Sequence, residues 1–144
     1  KNSIILTPHI DEMSRLGKIA VNKILIDKKK CAKTYAKKLN SIIVLKGANT
    51  VIASPNGLVQ ISPYVNSAMA KAGTGDMLTG LISGLIASDR ANITHENNLF
   101  YKSCLGVYIQ GFAANIAKKE IGETAVKTTD IIERLGLFHK KFFQ

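Results

Sequence analysis

The sequence predicts an α/β fold in which a layered β-sheet is flanked by helices. Short runs of Ile, Val and Leu at residues 4–6 and 41–46 have the length and composition of strands that are covered on both faces. Longer segments with apolar residues at helical spacing lie between and after these runs. This alternation of strand and helix is typical of a layered sheet with parallel strands.

The elements can be justified in chain order. The run at residues 4–6 is the first strand, and Thr7 and Pro8 fit the N-cap and first position of a helix that follows it. Asp27 caps a second helix that ends near Leu39 and Asn40. Its apolar residues recur at i, i+3, i+4 and i+7, so its many lysines are expected to form a solvated outer face.

The second half continues with a hairpin and three helices. Residues 50–54 and 58–62 flank Pro55-Asn56-Gly57, which has the chemistry of a hairpin turn. Helical patterns then cover residues 77–88, 97–119 and 130–141, and in the last one Asp130 and Glu133 are placed like a capping box. In the first of these helices Gly80 and Gly84 indicate close packing against a neighbour, since glycine costs about 1 kcal/mol relative to alanine in a helix.

A glycine-rich loop, Ala72-Gly73-Thr74-Gly75-Asp76, directly precedes that helix. Free backbone N–H groups and the positive end of the helix dipole would stabilise a phosphate there. Asp76 would repel this phosphate, which makes sense if it accepts a proton from a hydroxyl that reacts with the phosphoryl group. The alternative is an ordinary turn in which Asp76 only caps the helix.

Two further positions follow strands, where ligands gather in open α/β sheets. In the segment Lys46-Gly47-Ala48-Asn49-Thr50, the glycine allows close approach, and the Lys46 amine or the Thr50 hydroxyl could reach phosphate or ribose. His9 could donate a hydrogen bond to a substrate phosphate or amide. An ordinary Lys-Gly turn and a structural histidine are the alternatives.

Composition is that of a cytoplasmic globular domain, with 46% hydrophobic and 21% charged residues, no membrane-spanning run and no signal-peptide pattern. The net charge is +10, but aromatic content is only 6% and no nucleic-acid module is present, so no nucleic-acid partner is predicted. A basic field would also steer polyanionic nucleotides. Cys31 and Cys104 are expected to be buried reduced thiols, and His9, His95 and His139 are too scattered for a metal site.

Four ordered motifs carry a family resemblance. The segment N-S-A-M-A-K-A-G-T-G-D-M-L-T-G at residues 66–80 resembles the nucleotide-binding signature of the ribokinase-like NAD(P)H-hydrate dehydratases. Residues 6–16 resemble that family's T-P-H-x-x-E-M-x-R-L segment, residues 44–52 its L-K-G-A-x-T-V-I segment and residues 106–111 its V-Y-x-H-G segment. The chain departs from the pattern at five positions, namely Ile10, Asp11, Val65, Ala72 and Gln110.

The resemblance implies a ribokinase-like layered sheet with flanking helices, of which the chain matches only the C-terminal half. It implies adenine-nucleotide contacts for Lys46, Gly47, Ala48, Asn49, Thr50, Gly73, Thr74 and Gly75, and contacts with the hydrated nicotinamide cofactor for His9 and Asp76. ADP or ATP would be the co-substrate, with Mg²⁺ bridging nucleotide oxygens, although no magnesium ligand can be named. Asp76 would be the general base in a reaction that phosphorylates and then eliminates the C6 hydroxyl of hydrated NADH or NADPH.

Two alternatives use the same loop. One is a small-molecule kinase of the same fold that acts on a sugar or hydroxymethylpyrimidine-type alcohol and stops at the phosphorylated product. The other is a catalytically silent nucleotide-binding module. Because the strand at residues 4–6 would belong to a larger sheet, we also expect the 144 residues to be one domain fragment that self-associates as a homo-oligomer or aggregate and needs a missing N-terminal half.

Overall fold

The computed structural model describes residues 4–89 and 96–143, which leaves His95 outside the described residues. Its centre is a four-stranded sheet of β1 (Ile5–Leu6), β2 (Ile42–Leu45), β3 (Val51–Ala53) and β4 (Val59–Ile61), arranged in chain order. β1 runs parallel to β2, whereas β3 is antiparallel to both β2 and β4. The predicted strands and hairpin are confirmed, and the sheet is mixed.

The sheet separates two apolar cores, because successive side chains of a strand point to opposite faces. Ile43 and Leu45 of β2 pack on one face with residues of the three helices that connect β1 to β2. Ile42 and Val44 pack on the other face with residues of the helices that follow the hairpin. All four residues of β2 are buried, as expected for a strand covered on both sides.

Three helices connect β1 to β2, namely α1 (Ile10–Gly17), α2 (Val21–Ile26) and α3 (Lys28–Leu39). The prediction for α3 is confirmed: the Asp27 carboxylate accepts the Lys30 N–H at 2.8 Å, and the helix ends at Asn40 in the left-handed conformation. α2 has no counterpart among the predicted elements. It is a single short segment whose Leu25 and Ile26 are exposed, so its apolar residues do not mark one buried face.

The start of α1 differs from the prediction. His9, not Thr7, is the N-cap, since its side chain accepts the Glu12 N–H, and Pro8 precedes the cap instead of occupying the first helical position. The Thr7 hydroxyl lies 3.4 Å from the hydroxyl of Thr79 in a later helix. A tertiary contact therefore uses the hydroxyl that would have capped the helix.

The remaining helices are α4 (Thr74–Ala87), α5 (Glu96–Ile121), α6 (Thr128–Glu133) and α7 (Leu135–Phe143). The single helix predicted for residues 130–141 is wrong, because Arg134 separates two helices. Its guanidinium binds Glu120 of α5 at 2.8 Å and the Asp130 carbonyl at 2.7 Å. Asp130 is also not the cap: it is the third residue of α6, and its carboxylate accepts the Lys127 N–H at 2.7 Å.

The close approach between α4 and α5 occurs at a glycine of α5 and not at those of α4. A Cβ placed on Gly106 would lie 2.6 Å from Cγ1 of Ile82, whereas a Cβ on Gly80 or Gly84 would meet no atom of the described residues within 4 Å. The expectation that Gly80 and Gly84 pack closely is therefore wrong within this part of the chain. Gly106 brings α5 against the helix that begins at the glycine-rich loop.

We predict that Gly106→Ala lowers the free energy of unfolding by about 1–3 kcal/mol, because the new methyl group forces Ile82 or the helix to move. Gly84→Ala is the matched control and should be neutral or stabilising by up to about 1 kcal/mol, since its Cβ meets open space and alanine favours helix. Urea unfolding of both variants measures the difference. Equal stability of the two would contradict the contact.

Candidate functional site

A cavity of about 710 Å³ opens where β1 and β2 end and α4 begins. Because β1 and β2 are parallel, their carboxyl ends meet at one edge of the sheet. The Lys46 N–H donates to the Pro8 carbonyl at 2.8 Å, which extends the pairing beyond the strands and places the segments after β1 and β2 side by side. Most of the predicted site residues line this cavity, namely His9, Lys46, Gly47, Ala48, Thr50, Thr74 and Gly75.

Three predicted residues do not line the cavity: Asn49, Gly73 and Asp76. Each is adjacent in sequence to a residue that does. Asp76 is exposed in the first turn of α4, and no hydrogen bond or ion pair of its carboxylate occurs within residues 4–89 and 96–143. The N-cap of α4 is Gly73, so Asp76 does not have the capping role that was its structural alternative.

His9 and Glu12 fix each other at the start of α1. The His9 N–H donates to the Glu12 carboxylate at 2.7 Å, and Nδ1 of His9 accepts the Glu12 N–H at 3.2 Å. This leaves Nε2, 3.3 Å from the carboxylate, to carry the proton of the neutral imidazole. The hydrogen bond from the His9 backbone is the main cause that lowers the pKa of Glu12, and the charge of nearby Lys46 contributes in the same direction.

Lys46 brings a positive charge to the first turn of α4. Its Nζ lies 3.7 Å from the Glu12 carboxylate and would lie 3.0 Å from a Cβ placed on Gly75. The N-terminal end of a helix carries a partial positive charge of its own. An anionic ligand is therefore attracted by both groups at this point, while the carboxylates of Glu12 and of Asp76, in the same turn of α4, oppose it.

The loop after β2 depends on backbone conformations that favour glycine. Gly47 has a φ of +143°, and Asn49 is left-handed with a φ of +54°. The Thr50 hydroxyl donates to the Gly47 carbonyl at 3.1 Å. This hydrogen bond closes the loop on itself, so the hydroxyl predicted to reach a ligand already has a backbone partner.

The loop before α4 is held by side chains from several elements. The single hydrogen of the Thr74 hydroxyl is shared between the Met69 and Lys71 carbonyls, at 2.7 and 2.8 Å, and the Thr128 hydroxyl donates to the Ala72 carbonyl at 2.7 Å. Gly73, with a φ of +83°, turns the chain into the helix. The helix starts three residues earlier than predicted, so Thr74 and Gly75 belong to its first turn.

The cavity wall also contains polar residues that were not predicted as site residues, namely Asp11, Asn66, Ser67, Lys71 and Gln110. Gln110 of α5 is buried and donates to the Thr74 carbonyl at 2.9 Å, and Lys71 donates to the Thr124 carbonyl at 2.9 Å. Gln110 stood out in the sequence only as a departure from the family pattern. Neither hydrogen bond has a sequence signal, because each joins residues that are more than 30 positions apart.

No group of three His, Cys, Asp or Glu side chains that could hold a metal ion occurs in the described part of the chain. Both cysteines are free thiols; Cys31 is buried as expected, whereas Cys104 is only partly buried. Burial raises the pKa of Cys104 to about 12 and also raises that of Cys31. None of the helices in residues 4–89 and 96–143 is long and apolar enough to cross a membrane.

The chain is similar to known proteins along nearly all of its length. A sequence profile of the NAD(P)H-hydrate dehydratases matches residues 1–136. The ADP-dependent (S)-NAD(P)H-hydrate dehydratase of Bacillus subtilis is 46% identical over 139 residues, 96% of this chain and 48% of that protein. The bifunctional NAD(P)H-hydrate repair enzyme of Moorella thermoacetica is 38% identical over 133 residues, 92% of this chain and 24% of that protein.

The fold is also similar to that of a solved structure from the same family of proteins. A crystal structure of the ADP/ATP-dependent NAD(P)H-hydrate dehydratase of Bacillus subtilis, co-crystallized with ATP/Mg²⁺ and soaked with CoA, superposes with a TM-score of 0.86 at 33% identity. The superposition covers 97% of this chain and 49% of the other. The chain thus spans between about a quarter and half of the length of these relatives.

We predict that Gly75→Val weakens binding of an adenine nucleotide, because the larger side chain displaces the Lys46 ammonium from the first turn of α4. Backbone strain does not contribute, since Gly75 is helical and lacks the positive φ of Gly73. Gly80→Val on the same helix is the matched control, as a side chain there meets open space. Calorimetry with AMP and ADP measures the effect, and equal affinities of the two variants would argue that the loop is only a turn.

Proposed function

The chain belongs to the NAD(P)H-hydrate dehydratase family, and from that premise we propose that the protein uses an adenine nucleotide to dehydrate hydrated NADH or NADPH. One observation carries the proposal. His9, Lys46 and the first turn of α4 meet at one cavity, where a phosphate-attracting group adjoins a hydrogen-bond donor for a second ligand. Such a site suits a phosphoryl group on one side and the molecule that receives it on the other.

The nucleotide side of the site consists of the loop after β2 and the start of α4. Lys46 and the backbone N–H groups of Gly73 and Gly75 would stabilise the charge that develops on the transferred phosphoryl group, whereas the Thr74 N–H already donates to the Lys71 carbonyl at 3.3 Å. Gly47 and Ala48 leave the adjoining wall without bulky side chains, which suits the close approach of a nucleotide. ADP or ATP is the proposed co-substrate; the two differ only by the terminal phosphate that this wall would accommodate.

The substrate side contains His9, with Asp76 at its margin in the first turn of α4. In the proposed reaction, the C6 hydroxyl of the hydrated nicotinamide ring attacks the terminal phosphoryl group and loses its proton to Asp76. The bond from that phosphorus to the bridging oxygen breaks, so that AMP leaves from ADP, or ADP from ATP. The phosphate then leaves with the electrons of the C6–O bond, and a proton is lost from the neighbouring ring carbon. The product is the restored dihydropyridine, and phosphorylation is useful because phosphate is a much better leaving group than hydroxide.

Magnesium is proposed to arrive with the nucleotide. Mg²⁺ is commonly bound through one or two carboxylates together with substrate phosphates, and not by a cage built from protein alone. The donor set fits this mode, since the described residues provide one carboxylate, that of Asp11, in the cavity wall. When bound, the ion would neutralise charge on the nucleotide oxygens.

We expect Asp76→Asn to leave ADP binding nearly intact and to slow turnover, because removal of a general base typically costs about 10²- to 10⁴-fold in rate. Glu133→Gln is the matched control: it also replaces a carboxylate with an amide, but at an exposed position of α6. The assay follows formation of NADH from its hydrate with ADP or ATP. Wild-type turnover in Asp76→Asn would remove this residue from the mechanism.

A second prediction concerns the part of the relatives that this chain does not cover. We propose that activity requires that part, because within residues 4–89 and 96–143 β1 pairs with a strand on one side only, and Ile4, next to it, is half-exposed. The 144 residues alone should self-associate and lack dehydratase activity. Addition of the N-terminal half, in cis or as a second fragment, should restore it.

Light scattering and the same activity assay test this expectation. The reconstituted Asp76→Asn chain serves as the control for contaminating activity. A monodisperse, active 144-residue monomer would contradict the proposal.

A further inference from the structure

The first turn of α3 contains three consecutive lysines, of which one behaves differently. Cations are unfavourable at the N-terminal end of a helix, so a helix gains nothing from lysine at this position. Lys29 and Lys30 are exposed, as expected for a solvated face. Lys28 is half-buried, and its amine points to the loop after β2 instead of to water.

The partners of Lys28 are two successive backbone carbonyls of that loop. Its Nζ donates to the Ala48 carbonyl, and to the Asn49 carbonyl at 3.1 Å. The carbonyl of Gly47, the preceding residue, accepts a hydrogen bond from the Thr50 hydroxyl at 3.1 Å. Three successive carbonyls of the loop are thus occupied, two of them by one side chain from α3.

These contacts act on a loop that contains two residues of positive φ. Asn49 is left-handed, a region that costs free energy for residues other than glycine, and Gly47 also has a positive φ. Burial disfavours the charged form of the Lys28 amine and so lowers its pKa. No carboxylate within the described ranges forms an ion pair with it, so neutral carbonyls are what stabilise its charge.

We propose that Lys28 is a positioning residue that holds the loop of residues 46–50 in the conformation that lines the cavity. The inference rests on the proposed function, in which this loop contacts the adenine nucleotide. Lys28 itself does not line the cavity and is not proposed to touch the nucleotide. It acts through Ala48 and Asn49, the residues whose carbonyls it binds.

The test compares three variants of the purified protein. Lys28→Met keeps an unbranched apolar stem but removes the donor, and Lys28→Arg keeps both charge and donors. Lys29→Met makes the same change of net charge in the same turn of the helix at an exposed position. Two measurements are made on each: amide hydrogen exchange of residues 47–50 without ligand, and calorimetric titration with ADP.

We expect faster exchange at residues 47–50 in Lys28→Met only, with unfolding midpoints in urea that match those of Lys29→Met. ADP affinity should fall about tenfold in Lys28→Met, in line with the loss of hydrogen bonds from a charged donor. Lys28→Arg should recover most of this loss, since arginine retains the donors and the charge. A helix-stabilising role alone would not produce this rescue or confine the change to the loop.

The two measurements separate failure of this inference from failure of the proposed function. Equal exchange in Lys28→Met and Lys29→Met overturns the positioning role whether or not ADP binds. A second outcome is that the wild-type protein does not bind ADP while loop exchange is faster in Lys28→Met. Lys28 would then still hold the loop, but its role in nucleotide binding would be overturned. Equal ADP affinity in the two methionine variants would also overturn that role.

Discussion

The hydrogen bond from the Lys46 N–H to the Pro8 carbonyl extends the parallel pairing of β1 and β2 beyond their last residues. Because of it, the residue after each strand emerges at the same edge of the sheet, and the start of α1 lies next to the loop after β2. In this arrangement the Lys46 ammonium lies 3.7 Å from the Glu12 carboxylate. The cavity therefore depends on backbone pairing first and on the identity of its side chains second.

The electrostatics of the cavity follow from that arrangement. The Lys46 ammonium and the N-terminal end of α4 lie close together, and Glu12 is the carboxylate that partly balances them. Glu12 also accepts the His9 N–H, so one carboxylate connects the part of the site proposed for phosphate to the part proposed for the hydrated ring. An isolated exposed ion pair contributes little to stability, and the value of this one lies in orienting two functional side chains.

The sequence predicted most of the fold because its strongest signals are local. The Ile and Val run of β2, the turn at Pro55-Asn56-Gly57 and the Asp27 cap each follow from a few adjacent residues, and all three are confirmed. What failed depends on distant partners. Thr7 faces Thr79 and so does not cap α1, and Arg134 binds Glu120 and so divides a helix that looked continuous.

The candidate site was predictable to a similar extent. Glycine-rich loops after strands and before a helix indicated the correct edge of the sheet, and most of the residues named there line one cavity. The direction of individual side chains was not predictable, and Asn49 and Asp76 lie outside the wall for that reason. Gln110 was out of reach because a contact between α5 and Thr74 leaves no pattern in either segment.

The hydrogen bonds of Thr74 affect how a ligand would bind at the start of α4. Its hydroxyl and its carbonyl both form hydrogen bonds within the protein. The carbonyl accepts its hydrogen bond from Gln110, which belongs to the long helix α5. The start of α4 is therefore ordered before any ligand arrives. A ligand that binds there loses its own freedom but does not have to freeze the loop, so the entropic cost of association is correspondingly smaller.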